Sequence, residues 1–147
     1  MDNASLVLSL TVSDVSAALD FLTAAFDAEV VVRMPGPDGS IVHSEVMIGE
    51  DLLYISSEFP DWRAKILPEG TLAPCLFGLN VDDPDAVFAK AIAAGAKEIE
   101  APTTQFWGMR TAIIADPFGY RWNLRKLVEE LSEEEIMRRA QAAAQGG

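Results

Sequence analysis

One internal repeat dominates this sequence. The pattern Leu-x-Val-x-Asp-x-x-Ala begins at Leu10 and again at Leu79, 69 positions later. A period of this length in a 147-residue chain fits two copies of one supersecondary module, because a solenoid needs about three or more shorter repeats to cover its apolar faces. Two such modules can form a binding site between them.

The first copy is typical of a βαβββ module. From Ser5 to Val12, every second residue is leucine or valine and shares one face, and the other face carries Ser5, Val7, Ser9 and Thr11, which predicts a half-buried strand. Asp14 then precedes apolar residues at helical spacing and is a suitable N-cap for a helix that ends near Asp27. The proline- and glycine-rich segment 35–39 predicts a hairpin loop. These signals together predict strands at 5–12, 30–34, 40–48 and 52–56.

The second copy predicts the same order of elements. Cys75 lies at the start of an apolar segment, where a buried structural thiol is expected rather than a nucleophile. Asp83 followed by Pro84 is a typical helix start, and Gly95 is a typical helix end. Strands are predicted at 75–81, 97–101, 109–115 and 120–126.

The chain is predicted to form a single α+β domain over residues 1–147. It divides into module one at 5–57, a linker at 58–74, module two at 75–126 and a terminal helix at 132–144. Ser132 and Glu135 have the spacing of a capping box for the terminal helix. Arg138 and Arg139 fit its last turns, where cations interact favourably with the helix dipole.

Charge and apolar content exclude several classes of function. The chain has 23 acidic and 11 basic side chains and a formal net charge of −12, which repels the phosphates of nucleic acids. The same charge favours cationic ligands or serves only solubility. No apolar stretch approaches the roughly 20 residues that span a membrane, and no signal peptide is recognisable. We therefore expect a cytoplasmic protein without nucleic-acid or membrane partners.

Three segments of module two resemble one known family. They are WGMR at 107–110, DPFG at 116–119 and YRW at 120–122. Together with the two βαβββ modules, they resemble the vicinal-oxygen-chelate superfamily, and within it the PhnB-like branch of the glyoxalase and bleomycin-resistance proteins. The resemblance implies mixed, curved sheets that enclose a cavity, and a homodimer.

The resemblance also locates the positions that hold a metal ion in metal-using members. Those members present His or Glu from strands one, four, five and eight. The matching positions here are Val7, Leu76, Asn123 and, on strand four, Tyr54 or Ser56. Valine and leucine have no lone pair to offer, and an asparagine offers at most a neutral carbonyl oxygen. We therefore expect neither a metal ion nor another cofactor.

The resemblance to this family also implies which strand residues face the cavity. It places Asn80, Arg121 and Asn123 there, and strand alternation adds His43 and Glu45 on strand three. A histidine beside a carboxylate can act as a general base or can anchor a ligand. The alternative is that His43 only forms a hydrogen bond across the sheet.

Four aromatic residues fall in loops rather than in strands. Phe59 and Trp62 lie in the linker, and Phe106 and Trp107 precede strand seven. Aromatic side chains at such positions stack on planar ligands or close a dimer interface, or they pack as a lid on their own core. Arg110 beside them could pair with a ligand carboxylate or with one of the many surface acids.

These observations favour metal-independent binding of a small organic molecule, planar or cationic, by a homodimer. Within the resembled family this corresponds to proteins that sequester a drug and confer resistance. The first alternative is a glyoxalase-like lyase or isomerase. The second is a cofactor-free enzyme that uses His43 and Glu45, and the third is a scaffold without a functional cavity. The missing metal ligands argue against metal catalysis, and the loop aromatic residues argue against a scaffold.

Overall fold

The computed structural model describes residues 4–146 and places them in two four-stranded sheets and three α-helices. Module one contains β1 (Leu8–Thr11), α1 (Val15–Phe26), β2 (Glu29–Pro35), β3 (Ile41–Ile48) and β4 (Asp51–Ser56). Its strands form sheet one in the order β1-β4-β3-β2. Strand β1 runs parallel to β4, and the other neighbours are antiparallel.

Module two repeats this arrangement. It contains β5 (Leu76–Asn80), α2 (Pro84–Ala93), β6 (Lys97–Thr104), β7 (Met109–Ala115) and β8 (Arg121–Leu127), and it is followed by α3 (Glu133–Gln145). Its strands form sheet two in the order β5-β8-β7-β6, again with one parallel pair. The linker contains a short 3-10 turn at Pro60–Trp62. The predicted α+β fold of two βαβββ modules is confirmed.

The repeated aspartate of the sequence pattern begins the main helix of each module. Asp14 Oδ1 accepts a hydrogen bond from the backbone N–H of Ala17 at 3.0 Å. Asp83 Oδ1 does the same for Ala86 at 3.1 Å. Each bond satisfies one of the backbone donors that a helix leaves unpaired in its first turn. The internal repeat therefore includes the residues that start α1 and α2.

The two modules share one hydrophobic core. Helices α1 and α2 pack against each other, and each also covers one side of its own sheet. Leu19 on α1, Ile55 on β4 and Leu124 on β8 are all fully buried in this layer. Strand side chains alternate between the two sides of a sheet, so the neighbouring residues point away from the helices.

We call the side of each sheet that is turned away from the helices its open face. The strand pairing places equivalent rows of residues on these two faces. The open face of sheet one carries Ser9, Thr11, His43, Glu45, Met47, Tyr54 and Ser56. The open face of sheet two carries Leu76, Gly78, Asn80, Thr111, Ile113, Arg121, Asn123 and Arg125.

Contacts between the modules centre on Tyr120, just before β8. Its hydroxyl donates to the backbone oxygen of Thr11 at 3.0 Å and accepts from the Thr11 N–H at 3.1 Å. Two residues further along, the Trp122 ring lies 5.0 Å from the Phe26 ring, measured between centroids. This polar clamp and this aromatic contact add to the packing of α1 on α2 that joins the modules.

A buried aspartate shapes the turn that presents these two residues. The Asp116 carboxylate accepts from the backbone N–H of Phe118 and Tyr120, and from the indole N–H of Trp122 at 3.0 Å. The residue is only 8% exposed. Burial raises the pKa of Asp116, while these hydrogen bonds lower it by less. The DPFG segment therefore acts as a structural turn that orients β8.

Two predictions about strand ends are wrong. Cys75 is exposed and precedes β5 rather than lying buried within it, because the ladder with β8 begins only at Leu76. The first strand begins at Leu8 rather than at Ser5, since its ladder with β4 starts with Leu8 opposite Leu53. In both places, the apolar pattern of the sequence extends beyond the segment that has a strand partner.

The terminal helix also differs from its prediction. Ser132 caps it by accepting from the Glu135 N–H at 3.1 Å. The Glu135 carboxylate accepts from Arg138 and Arg139 instead, and these bonds lower its pKa to about 2. Because α3 extends to Gln145, both arginines lie in its middle. Arg139 also donates to Glu129 and to the backbone oxygen of Phe106, which ties α3 to module two.

Candidate functional site

The positions matched to family metal ligands do not fit a divalent ion. Leu76 lies beside Arg121, and Asn123 lies beside Gly78 on the open face of sheet two. Val7 comes one residue before β1. Throughout residues 4–146, no three His, Cys, Asp or Glu side chains come together in a way that could hold a metal. The matched positions thus carry two apolar side chains, one neutral amide and, on β4, the hydroxyl of Tyr54 or Ser56, a set that suits no catalytic zinc or iron site.

The open face of sheet one holds a polar cluster around His43. Its Nδ1 lies 2.8 Å from the Ser56 hydroxyl on the neighbouring strand. Its Nε2 lies 3.9 Å from a carboxylate oxygen of Glu45, and its ring contacts the Tyr54 ring at 5.2 Å between centroids. About a quarter of the His43 side chain and a third of the Glu45 side chain remain exposed.

This cluster can bind a proton or hold a polar ligand group. Ser56 fixes the orientation of the imidazole by its bond to Nδ1, which leaves Nε2 available on the side of Glu45. A 3.9 Å separation is an ion-pair distance when His43 is protonated, but it is longer than a hydrogen bond. The serine and the tyrosine were not singled out by sequence reasoning as partners of His43, because they lie across the strand ladder.

The open face of sheet two carries a row of three polar residues on β8. Arg121, Asn123 and Arg125 alternate with core residues along the strand. Within the described chain, Nε of both arginines and Oδ1 of Asn123 are buried and have no hydrogen-bond partner. Arg121 makes one long bond, from Nη2 to the Cys75 backbone oxygen at 3.4 Å.

The side chain of Arg125 packs against Gly78 on strand β5. A Cβ atom at Gly78 would lie 3.4 Å from Arg125 Cδ, so the arginine stem rests directly on the glycine backbone. Asn80 pairs in register with Arg125 and is exposed at the end of β5. Arg125 was not among the predicted site residues, although alternation from Arg121 and Asn123 leads directly to it.

The far edge of this open face is already hydrogen-bonded. The Gln105 amide donates to a carboxylate oxygen of Glu100 at 2.8 Å and to the Thr111 hydroxyl at 2.9 Å. Thr111 pairs in register with Arg125 across β7 and β8. Sequence reasoning missed Glu100 and Gln105, because both lie on the irregular β6 and its following turn.

The structure places Arg110 away from this site. Its guanidinium donates two parallel bonds of 2.7 Å to Asp85 in the first turn of α2, and a third to Thr104. These bonds lower the pKa of Asp85. Because residues 110 and 112 alternate with the open-face residues of β7, Arg110 belongs to the helix side of sheet two. It pairs with a surface acid, which was the second of the two predicted roles.

The four loop aromatic residues form two separate edge-to-face pairs. Phe59 and Trp62 lie 5.0 Å apart, and Phe106 and Trp107 lie 4.9 Å apart, between ring centroids. All four are exposed, with Trp62 at 81%. The first pair follows the end of β4, and the second precedes β7. They therefore flank the sheets rather than line one common pocket.

A groove of about 680 Å³ runs along the boundary between the modules. It is lined by Leu8 and Leu53 from sheet one and by Phe77, Leu79 and Trp122 from sheet two. Its lining is mostly apolar, and it meets the open faces at Met47 and Gly78.

None of the described helices is long and apolar enough to cross a membrane.

Comparisons with known proteins agree on one family. The model of the Glyoxalase/Bleomycin resistance protein/Dioxygenase superfamily matches residues 5–124. An uncharacterized protein of Mycobacterium bovis is 37% identical over 130 residues, which is 86% of each chain. TioX from Micromonospora sp. ML1 has a similar fold, with a TM-score of 0.69, 22% identity and coverage of 86% of this chain and all of that one. A glyoxalase/bleomycin resistance protein from Streptomyces sp. CB03234 gives 27% identity and a TM-score of 0.58, over 82% and 97% of the two chains.

Proposed function

Because this chain belongs to the glyoxalase/bleomycin resistance protein/dioxygenase superfamily, we propose that it binds a small organic molecule without using a metal ion. The observation that carries the proposal is the pair of polar open faces with Val7, Leu76 and Asn123 at the ligand positions. These faces offer hydrogen-bonding groups and side-chain charges, whereas the metal-binding chemistry of the family has no donors here. We keep the PhnB-like branch as a finer prediction.

A homodimer is part of this proposal. The chain exposes 9250 Å², whereas a compact monomer of 15.9 kDa exposes about 7,300 Å². Apolar side chains on β2 and β5 are among the exposed ones, including Val32, Met34 and Leu76. A second copy would cover such surface, and large exposed apolar areas commonly mark protein interfaces.

The dimer would turn the open faces into the walls of a binding cavity. Light scattering at micromolar concentration should give about twice the 15.9 kDa chain mass. A monomeric mass would contradict this part of the proposal and leave ligand binding to the groove and open faces of one chain.

The expected ligand is a planar organic molecule, and the expected role is sequestration, as in the resistance proteins of the family. The exposed pairs Phe59–Trp62 and Phe106–Trp107 support a planar ligand, because aromatic faces stack on one another.

The absence of a membrane-spanning helix among the described residues is compatible with a cytoplasmic location, which we include in the proposal.

Elemental analysis and ligand titration test the function together. The purified protein should contain no stoichiometric metal, and a planar aromatic ligand should quench Trp62 or Trp107 in a saturable way. Trp62→Phe and Trp107→Phe should weaken the quenching without changing the fold, and buried Trp122 then supplies the remaining fluorescence. About one zinc, nickel or iron per chain that is needed for binding or turnover would overturn metal independence. A diverse screen without quenching or thermal shift would overturn ligand binding, because ligand at 100 times its Kd adds about 2.7 kcal/mol.

A cofactor-free enzyme is the second candidate, and the His43 cluster favours it. Ser56 orients the imidazole, and Glu45 would stabilise its protonated form. A lyase or isomerase of the glyoxalase type would need such a base. Turnover that His43→Gln abolishes without loss of ligand affinity would favour the enzyme. Unchanged binding and no turnover in either protein would favour sequestration.

A further inference from the structure

The arginines of this chain fall into groups with different partners. Arg110, Arg138 and Arg139 each contact a carboxylate at 2.7–2.8 Å. Arg33 and Arg63 are exposed, so water solvates them. Arg121 and Arg125 are half-buried, and neither forms an ion pair with any described residue. In a chain with 23 acidic side chains, two such arginines on one strand face need a separate explanation.

Their placement makes the missing partner costly. Buried polar atoms are almost always hydrogen-bonded, and each unsatisfied one costs free energy. Nε of Arg121, Oδ1 of Asn123 and Nε of Arg125 are all buried without a protein partner in residues 4–146. The three residues lie at alternate positions of β8, so successive members are spaced by about 7 Å along one face. The two Nε–H groups lack an acceptor and the Asn123 oxygen lacks a donor, so the three residues form one row of unpaired polar groups.

We propose that Arg121, Asn123 and Arg125 bind a small organic anion by its carboxylate, an inference that rests on the ligand-binding function proposed above. A guanidinium presents forked N–H donors that match a carboxylate in geometry and charge. Asn123 lies between the two arginines on the same face of β8, and its buried Oδ1 has no protein partner among the described residues. The row would hold the charged end of the small organic ligand proposed above.

The net charge of −12 favours a cationic ligand, but the two arginines make the charge at this site locally positive. At physiological salt, interactions between exposed charges fade over about 8 Å. Arg121 and Arg125 meet a bound ligand at contact distance and in a partly buried setting, where charges interact more strongly. Glu100 on β6 is hydrogen-bonded to the neutral Gln105 amide and forms no ion pair with either arginine among the described residues. A carboxylate ligand is therefore favoured over a cationic one once it reaches the sheet.

The test uses three probes with one ring system and different charge. They are 2-naphthoate, neutral 2-naphthamide and 2-naphthylmethylammonium, titrated into the full-length protein and followed by isothermal calorimetry. The variants are Arg121→Gln and Arg125→Gln. Lys126→Gln is the matched control, because it removes one positive charge from the same strand at an exposed neighbouring position. Light scattering and a thermal melt are recorded for each variant.

We expect naphthoate to bind about tenfold or more tightly than the amide and the ammonium probe. Each arginine substitution should weaken naphthoate about tenfold and change amide binding less than about twofold, while Lys126→Gln behaves as the wild type. Arg125→Lys, which keeps the charge but loses the fork, should recover only part of the affinity. Unchanged melting of the arginine variants would show that the loss is not a folding defect.

Other outcomes overturn the inference in distinguishable ways. Equal binding of all three probes, with no effect of the arginine substitutions, refutes the anion site and leaves small-molecule binding intact. Binding of none of the probes overturns the anion site, and failure of the wider ligand screen would also remove the proposed function. If Arg125→Gln dissociates the dimer and Glu45→Gln does the same, the row pairs with Glu45 of a second copy, and the anion site is refuted.

Discussion

The two sheets have the same topology, but the polar residues on their open faces differ in charge and in hydrogen bonding. Ile55 and Leu124 occupy equivalent positions on β4 and β8, and both are fully buried beneath the helices. One residue further along, Ser56 is hydrogen-bonded to His43, whereas Arg125 has a buried Nε without a partner. The difference teaches that packing against the helices keeps one side of the two sheets alike, whereas their open faces carry different polar groups.

The same comparison distinguishes polar residues that stabilise the fold from polar residues that are available to bind a ligand. On sheet one, the hydrogen bond between His43 Nδ1 and Ser56 stabilises the chain whether or not a ligand is present. On sheet two, the arginine row leaves polar atoms unpaired, so it favours whatever supplies a carboxylate. The predictions below test this division.

The largest effect is expected on the helix side, where the sheets should behave alike. Ile55→Ala and Leu124→Ala should each lower the free energy of unfolding by about 2–5 kcal/mol, because each leaves a cavity in the shared core. Urea unfolding followed by circular dichroism measures the loss. A large loss in one variant and less than about 1 kcal/mol in the other would show that the two sheets are not packed equally.

The Asp116 turn should show how much module two depends on a buried carboxylate. Asp116→Ala leaves two backbone N–H groups and the Trp122 indole without their acceptor, which should cost roughly 1–3 kcal/mol. The matched control in module one is Asp38→Ala, whose carboxylate makes a similar turn with exposed Ser40. Its loss should be a few tenths of a kcal/mol. Equal losses would contradict the assigned role of burial.

The pH dependence of the same turn sharpens this test. Burial raises the pKa of Asp116 above its ordinary value of 3.8, so the folded state holds the proton more tightly than the unfolded state. Its stabilising contribution is therefore present below pH 3.8 and is lost as the pH rises through the folded pKa. Relative to Asp116→Asn, the wild type should be more stable at acid pH than at pH 7 in urea titrations. A constant difference across that range would contradict the raised pKa.

The contact between the modules should have a smaller effect. Tyr120→Phe removes the hydroxyl that bonds both the N–H and the carbonyl of Thr11, and it should cost about 0.5–1.5 kcal/mol. The single unfolding transition should remain, because the Phe26–Trp122 contact still joins the modules. Hydrogen exchange of the Thr11 amide provides a local measurement, and unchanged protection there would contradict the clamp.

The smallest effects are expected at the equivalent positions Ser56 and Arg125, and they should differ in sign. Ser56→Ala should lower stability by about 1 kcal/mol, because His43 Nδ1 loses its partner. Arg125→Met should leave stability unchanged or raise it, because an unpaired half-buried charge is replaced by an apolar chain of similar length. Thermal melts of both variants measure this. A clear loss for Arg125→Met would mean that the arginine has a structural partner.

Most of the fold was predictable from local signals. The alternation that sets His43 and Glu45 on one side of β3 agrees with the burial of Val46 on its other side, because a sheet covered on one side must bury every second residue. The caps Asp14 and Asp83 were predictable for the same local reason. Strand ends were less predictable, since a strand stops where its partner stops.

Contacts across the fold were not predictable from spacing. The Ser56 partner of His43 lies 13 residues away along the chain, and the Asp85 partner of Arg110 lies 25 residues away. Ladder register and helix placement decide both, and neither is encoded locally. Arg125 could have been predicted by extending the alternation by one step. That it lacks a partner is visible only in the assembled structure.

Helix α3 is attached in a way that makes it sensitive to solution conditions. None of its described residues is buried, and its polar link to module two runs from the partly exposed Arg139 to Glu129, which is 47% exposed, and to the Phe106 backbone oxygen. Ions weaken such exposed pairs, so concentrated salt should loosen this helix long before the sheets unfold. Limited proteolysis in rising sodium chloride would then trim the chain first between Leu127 and Glu133, and the remaining protein would keep both sheets.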